Sequence, residues 1–159
     1  MESQVVEERD LFDAIARSGA RALLIGRRAL VVLGLPVMTA DYDFWLHADD
    51  VEVFNQGLIA MGLASSHTPA DARKRGRYVL ENGEHVDVLI AREVRTVTGE
   101  TVTFDSTWNR RELATLGGGV QVAIPCIDDL IATKRFAPRP KDHEDIRLLE
   151  VLRSSRLRK

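Results

Sequence analysis

Asp41 and Asp43 stand two positions apart in DYDFWL, a stretch that alternates acidic and apolar residues. On an extended chain their side chains leave the same face, with Cα atoms roughly 6 to 7 Å apart. Two carboxylates so spaced can share a hard cation such as Mg²⁺ (or Mn²⁺), which keeps several waters and is normally completed by substrate phosphates. Asp87 lies in HVDVLI, where Val86, Val88 and Ile90 take one side and the carboxylate takes the other. Such a side chain is costly in a strand unless it is solvated, hydrogen bonded or metal bound. Three carboxylates on neighbouring strands would hold a pair of metals about 3.5 to 4 Å apart, clamping the attacking and leaving oxygens of a phosphoryl transfer.

The elements that must position these residues are legible from periodicity. Val5, Leu11, Phe12, Ile15 and Ala16 fall at helical spacing over residues 5–18, with Gly19 as a stop. Ala22 to Ile25 reads as a strand, Arg28 to Leu33 as a short helix closed by Gly34-Leu35-Pro36, and Asp41 to His47 as a two-sided strand. Asp49 is expected to cap a helix running to Gly62, with Val53, Phe54, Leu58 and Ile59 on its apolar face. The polar stretch Ser65 to Gly76 reads as a loop. Arg77 to Leu80 and His85 to Ile90 read as strands joined across Asn82-Gly83. Val102 to Phe104 and Val120 to Ile124 are two more short strands, separated by a polar segment and Gly117-Gly118-Gly119. Ile127 to Phe136 and Asp142 to Leu152 are final helices, and Arg153 to Lys159 a frayed basic tail. No repeat or linker divides the chain. The expectation is one α/β (α+β) domain over residues 1–159, with a small mixed sheet within residues 20–124 and helices over residues 126–153.

Composition bounds the partners. Of 159 residues, 45% are hydrophobic and 29% charged, an ordinary globular balance. The net charge of -2, from 22 basic and 24 acidic residues, argues against a protein that holds nucleic acid or an anionic membrane by bulk charge. The acidic start MESQVVEERD lacks the order of a secretory signal, and no apolar run approaches a bilayer span, so a cytoplasmic location is expected. Cys126, the lone cysteine, reads as a buried spacer after Pro125. His85 and His143 belong to no recognisable metal spacing. Trp45, on the carboxylate face, either packs or stacks on a base. The run Arg73-Lys74-Arg75-Gly76-Arg77 is a solvated loop or, beside a cleft, a contact for phosphates.

The stretch LLIGRRALVVLGLPVMTADYDFWL resembles the signature of the DNA polymerase beta-like nucleotidyltransferases: a strand ending in glycine, a short helix, then Asp-x-Asp in an apolar strand. HVDVLI resembles the strand bearing their third carboxylate. IPCIDDLIATKRFAPRPKDHEDIRLLEVL is similar to a C-terminal segment of minimal, toxin-type members. The resemblance spans residues 20 to 152. It implies transfer of a nucleoside monophosphate from an NTP to an acceptor hydroxyl on RNA, protein or a small molecule. Asp41, Asp43 and Asp87 would be catalytic and bind metal. Gly26, Arg27, Arg28, Thr39, Lys134, Arg139, Lys141 and Asp142 would contact the nucleotide. The sequence departs from the pattern at Gly26-Arg27-Arg28, where the family has Gly-Gly or Gly-Ser, and at Val37, where many members have Arg. Arg27 and Arg28 either replace the missing phosphate contact or fill the pocket. The alternative implied by the second case is a catalytically impaired binding or regulatory module, with a cognate antitoxin as its partner.

Overall fold

A computed structural model describes residues 7–158; Val5 and Lys159 lie outside the described residues. The first helix, α1 (Glu8–Ser18), buries Leu11, Phe12 and Ile15, and Gly19 ends it with φ of 74°. Then follow β1 (Ala22–Ile25), α2 (Gly26–Val32), β2 (Asp41–Leu46), α3 (Val51–Ile59), β3 (Ala64–Ser65), α4 (Pro69–Arg75), β4 (Arg77–Asn82) and β5 (Glu84–Leu89). The remaining elements are β6 (Glu93–Arg95), β7 (Thr101–Thr103), α5 (Phe104–Asn109), β8 (Glu112–Thr115), β9 (Gln121–Ile124), α6 (Ile127–Thr133) and α7 (Pro140–Leu157). The fold is α+β, built on a five-stranded mixed sheet in the order β1-β2-β5-β4-β3. Within it only β2 and β5 run parallel. Two smaller hairpins, β6-β7 and β8-β9, complete the strands.

Strand alternation decides what each face of the sheet does. Tyr42, Phe44 and Leu46, with Val86 and Val88 beside them in register, turn to the face covered by α1 and α3. There Phe12 meets Tyr42 and Phe44 edge-on, and Phe44 meets Phe54. The opposite face is divided. At one end Leu23 and Trp45 are sealed beneath Phe104 and Phe136, and the Trp45 Nε1-H donates to the Ala91 carbonyl at 2.8 Å. Trp45 is fully buried, so it packs and does not stack on a base. At the other end the same face carries Asp43 and Asp87.

Several local expectations are corrected. Ser65 to Gly76 is not a loop but contains β3 and α4. The Thr68 hydroxyl accepts the Asp71 N–H, Pro69 opens the helix and Gly76 closes it with φ of 79°. This helix buries only Ala72, so it leaves no apolar period to read. Phe104 starts α5 rather than ending a strand, because the Thr103 hydroxyl accepts the Ser106 N–H. The polar segment after it contains β8, and β6 was likewise not expected. His47, not Asp49, caps the turn before α3: its Nδ1 accepts the Asp49 N–H. That helix stops at Ile59, and Val51 and Asn55 are buried in it while Val53 and Ile59 are exposed. The C-terminal tail is helical to Leu157, tied by Arg153 to Asp128 and by Arg156 to Glu112.

Candidate active site

Asp43 of β2 and Asp87 of β5 are direct partners across the parallel pair, so their side chains emerge side by side. Both line a cleft of about 840 Å³. Asp43 carries the burden of this arrangement: burial first, then the charges of Asp87 and Asp41, raise its pKa to about 6, against the pull of Lys134 and Arg139. Asp41 is exposed at the start of β2 and lies outside the cleft lining. Among the described residues no three His, Cys, Asp or Glu side chains are gathered into a metal-binding cluster. The acidic centre is a close pair with a third carboxylate two residues along.

Gly26, at the end of β1, explains why the chain needs a glycine there. Its φ is 70°, and a Cβ would come within 2.5 Å of Asp43 Oδ2. A side chain at this position would displace the carboxylate as well as strain the backbone. The glycine therefore makes room for Asp43 as well as turning the strand into α2.

The two arginines that follow are engaged elsewhere. Arg27 Nε lies 3.2 Å from Asp145 Oδ2 and its guanidinium also reaches the Met38 carbonyl. Arg28 donates to the carbonyls of Thr39 and Asp41, and its guanidinium carbon lies 4.2 Å from the centre of the Tyr42 ring. Thr39 uses its hydroxyl to accept the Asp41 N–H. Arg27, Arg28, Thr39 and the exposed Lys141 are not among the residues lining the cleft.

Lys134, Arg139 and Asp142, from α6, α7 and the turn between them, do line it. Lys134 is buried, and its Nζ donates to Asp145 Oδ2 at 2.8 Å and lies 3.6 Å from Asp142 Oδ1. Asp142 Oδ2 accepts the Arg139 N–H at 2.7 Å, fixing the start of α7. Asp145 is fully buried; one of its oxygens serves both Lys134 and Arg27, and the other has no protein partner. This carboxylate joins α2, α6 and α7 in one ionic knot beside Asp43.

Residue-by-residue reading missed Asp145, although it lies one helical turn after Asp142 in DHED, on the same face. It also left His85 without a role. His85 sits two residues before Asp87, with Nε2 3.2 Å from Asp87 Oδ1 and Nδ1 2.9 Å from Glu81 Oε1. Burial works against its charged form, but the charge and hydrogen bond of Asp87, with Glu81 and Asp41, hold its pKa above the ordinary histidine range. Cys126 occupies the residue before α6; it is half-buried rather than buried, and burial raises its thiol pKa. No described helix is long and apolar enough to cross a membrane.

No protein-family model and no curated protein sequence matches the chain. Solved structures do. A Thermotoga maritima protein described as a nucleotidyltransferase superposes with a TM-score of 0.58 at 12% identity, covering 95% of this chain and 91% of that one. The lincosamide antibiotic adenylyltransferase LnuA, in its lincomycin-bound structure, gives 0.62 at 16% identity over 92% of this chain and 98% of its own. The antibiotic-resistance factor ANT(2'')-Ia gives 0.59 at 15% identity over 92% and 86%. From α1 through the carboxylate-bearing strands to α7, this chain has the nucleotidyltransferase fold.

Proposed function

We propose that the protein transfers a nucleoside monophosphate from an NTP to an acceptor hydroxyl in a reaction that depends on Mg²⁺. The observation that carries this reading is the adjacency of Asp43 and Asp87 on the floor of an open cleft, with the Asp43 pKa raised to about 6. Two anions crowded at a partly buried site, with only oxygen donors, suit a hard divalent cation that brings phosphates and waters of its own. Asp43 and Asp87 would hold it, with Asp41 next along the strand, and its charge would offset that of the triphosphate. The likeness in fold to an adenylyltransferase points the same way.

The chain's own residues supply the rest. Lys134 and Arg139 would meet the triphosphate from the helical side of the cleft, and Asp145 holds the Lys134 ammonium in place. Arg27 supports that wall through Asp145 and Arg28 braces the turn into β2, so both act as positioning residues. Asp87, steadied by His85, would accept the proton of the acceptor hydroxyl. The acceptor oxygen forms its bond to the α-phosphorus. The bond from that phosphorus to the bridging oxygen breaks, and pyrophosphate leaves with the electron pair. Positioning and charge neutralisation do most of the work in such transfers.

Titration calorimetry with ATP, CTP, GTP and UTP tests this directly. At least one should bind in Mg²⁺ and none comparably in EDTA, and Asp43→Asn should remove the Mg²⁺-dependent component. Equal binding with and without the metal, or no binding at all, rejects the reading and favours a catalytically impaired binding or regulatory module.

A further inference from the structure

We propose that the acceptor is a small molecule bearing a phosphate or carboxylate, held against Arg75, Arg77 and His67 on the β4 side of the cleft. This rests on the nucleotidyl-transfer reading and adds the acceptor's charge class to it. Val79 is the register partner of Asp87 and Arg77 that of Leu89, so Arg77 and Val79 project from β4 on the same face as Asp87. They lie on the side of Asp87 away from β2. The left-handed Gly76 turns α4 directly into β4, and both flanking arginines line the cleft.

The contrast with Arg73, in the same helix, is informative. Its guanidinium is clamped by both oxygens of Glu52 and also donates to the Ala48 carbonyl. Arg75 and Arg77 have no carboxylate partner among the described residues. On the opposite wall, Lys134 is matched by Asp145, and Arg139 lies 3.7 Å from Asp142. Among the described residues, the cleft cations without a carboxylate in salt-bridge range therefore lie at the β4 end, next to the carboxylate assigned to the acceptor hydroxyl.

The rest of that wall is built and not merely charged. The Ser66 hydroxyl accepts the Val79 N–H at 3.0 Å and lies 2.7 Å from His67 Nδ1, which fixes the imidazole in the cleft wall. The second ring nitrogen has no protein partner among the described residues. Two planar forks and a ring nitrogen suit the oxygens of a phosphate or carboxylate, and they repel a cationic acceptor. A cleft of about 840 Å³ matches a nucleotide with a small co-substrate, and the net charge of -2 disfavours a polyanion.

The test uses the full chain and inorganic phosphate as the probe, with NMR signals of the arginine Nε–H groups and the His67 ring as readout. Phosphate should shift the Arg75, Arg77 and His67 signals both alone and in the presence of Mg²⁺ and a non-hydrolysable ATP analogue. The double variant Arg75→Ala with Arg77→Ala should weaken that binding at least about tenfold, the loss expected for charge-assisted hydrogen bonds. It should leave binding of the Mg²⁺-nucleotide in place. In a second arm, glucose 6-phosphate should bind at least about tenfold more tightly than glucose or glucosamine. The proposal is overturned if phosphate leaves these three residues unmoved, if glucosamine is preferred, or if a short single-stranded RNA binds there more tightly than the sugar phosphate. Loss of nucleotide binding with phosphate still seated at Arg75 and Arg77 would sink the transfer reading and leave the anion site standing.

Discussion

Arg27 and Arg28 at the head of α2, and Arg75 and Arg77 around the start of β4, are the same residue type at close spacing near the same pair of carboxylates. The first two are bound inward, to Asp145 and Glu8, to backbone carbonyls and to the Tyr42 ring. The second two face the cleft without an acidic partner among the described residues. The difference lies in what the fold delivers to each. α7 carries Asp145 to Arg27, whereas Glu52 goes to Arg73 and no carboxylate among the described residues reaches Arg75 or Arg77. An arginine's position beside a site says little until its counter-charge is located. In this protein the pair that departs from the resembled motif is held by protein partners, and the pair in the basic run faces the cleft.

Substitutions on both sides test how deep that contrast runs. Asp145→Ala should be the most damaging, because it takes from Lys134 and Arg27 the carboxylate they share and leaves the buried knot with only Asp142. A loss of about 3 to 5 kcal/mol is expected from urea unfolding. The Arg75→Ala, Arg77→Ala double variant should stay within about 0.5 kcal/mol of the parent in the same experiment, since neither side chain is held by a protein carboxylate. Comparable losses in the two would erase the distinction.

Asp43→Asn should act in the opposite direction. In metal-free protein the folded state holds the Asp43 proton up to about pH 6, well above the ordinary carboxylate value of 3.8. The folded state therefore binds the proton more tightly than the unfolded one. That contribution is complete below about pH 4 and is lost as pH rises through 6. Asparagine should stabilise the protein by up to about 3 kcal/mol at pH 7.5 in EDTA and by little at pH 4. Thermal melts at the two pH values check this, and an equal effect at both contradicts it.

An intermediate effect is expected at Arg28. Arg28→Ala removes a stacked cation, two long hydrogen bonds and an ion pair with Glu8 at a largely covered turn, worth about 1 to 2 kcal/mol. Arg28→Lys should recover part of that in the melting temperature. A larger loss, accompanied by loss of nucleotide binding, would return Arg28 to the ligand.

How much was legible follows from how local each signal is. The register of Asp43 and Asp87 was readable because alternation fixes the face of each strand and Asn82-Gly83 fixes the hairpin that delivers β5. The helix α4 was not, since its start and stop residues were present but its single buried Ala72 gives no periodic face. Trp45 shares a side with Asp43 by alternation, and only the distant Phe104 and Phe136 decide that it is covered. The partners of Arg27 and Arg28 were illegible for a related reason. Asp145 meets Arg27 from the far end of the chain, and no local spacing encodes that encounter.

The lone parallel pairing in the main sheet, β2 with β5, has a consequence for how the centre comes into being. Its two strands are separated by a long crossover containing α3, β3, α4 and β4, so no contiguous fragment shorter than that span holds both acids. A chain still being synthesised carries no half-built version of the pair, and their mutual repulsion arises only when β5 docks alongside β2. Closing the sheet and creating the centre's charge are one event.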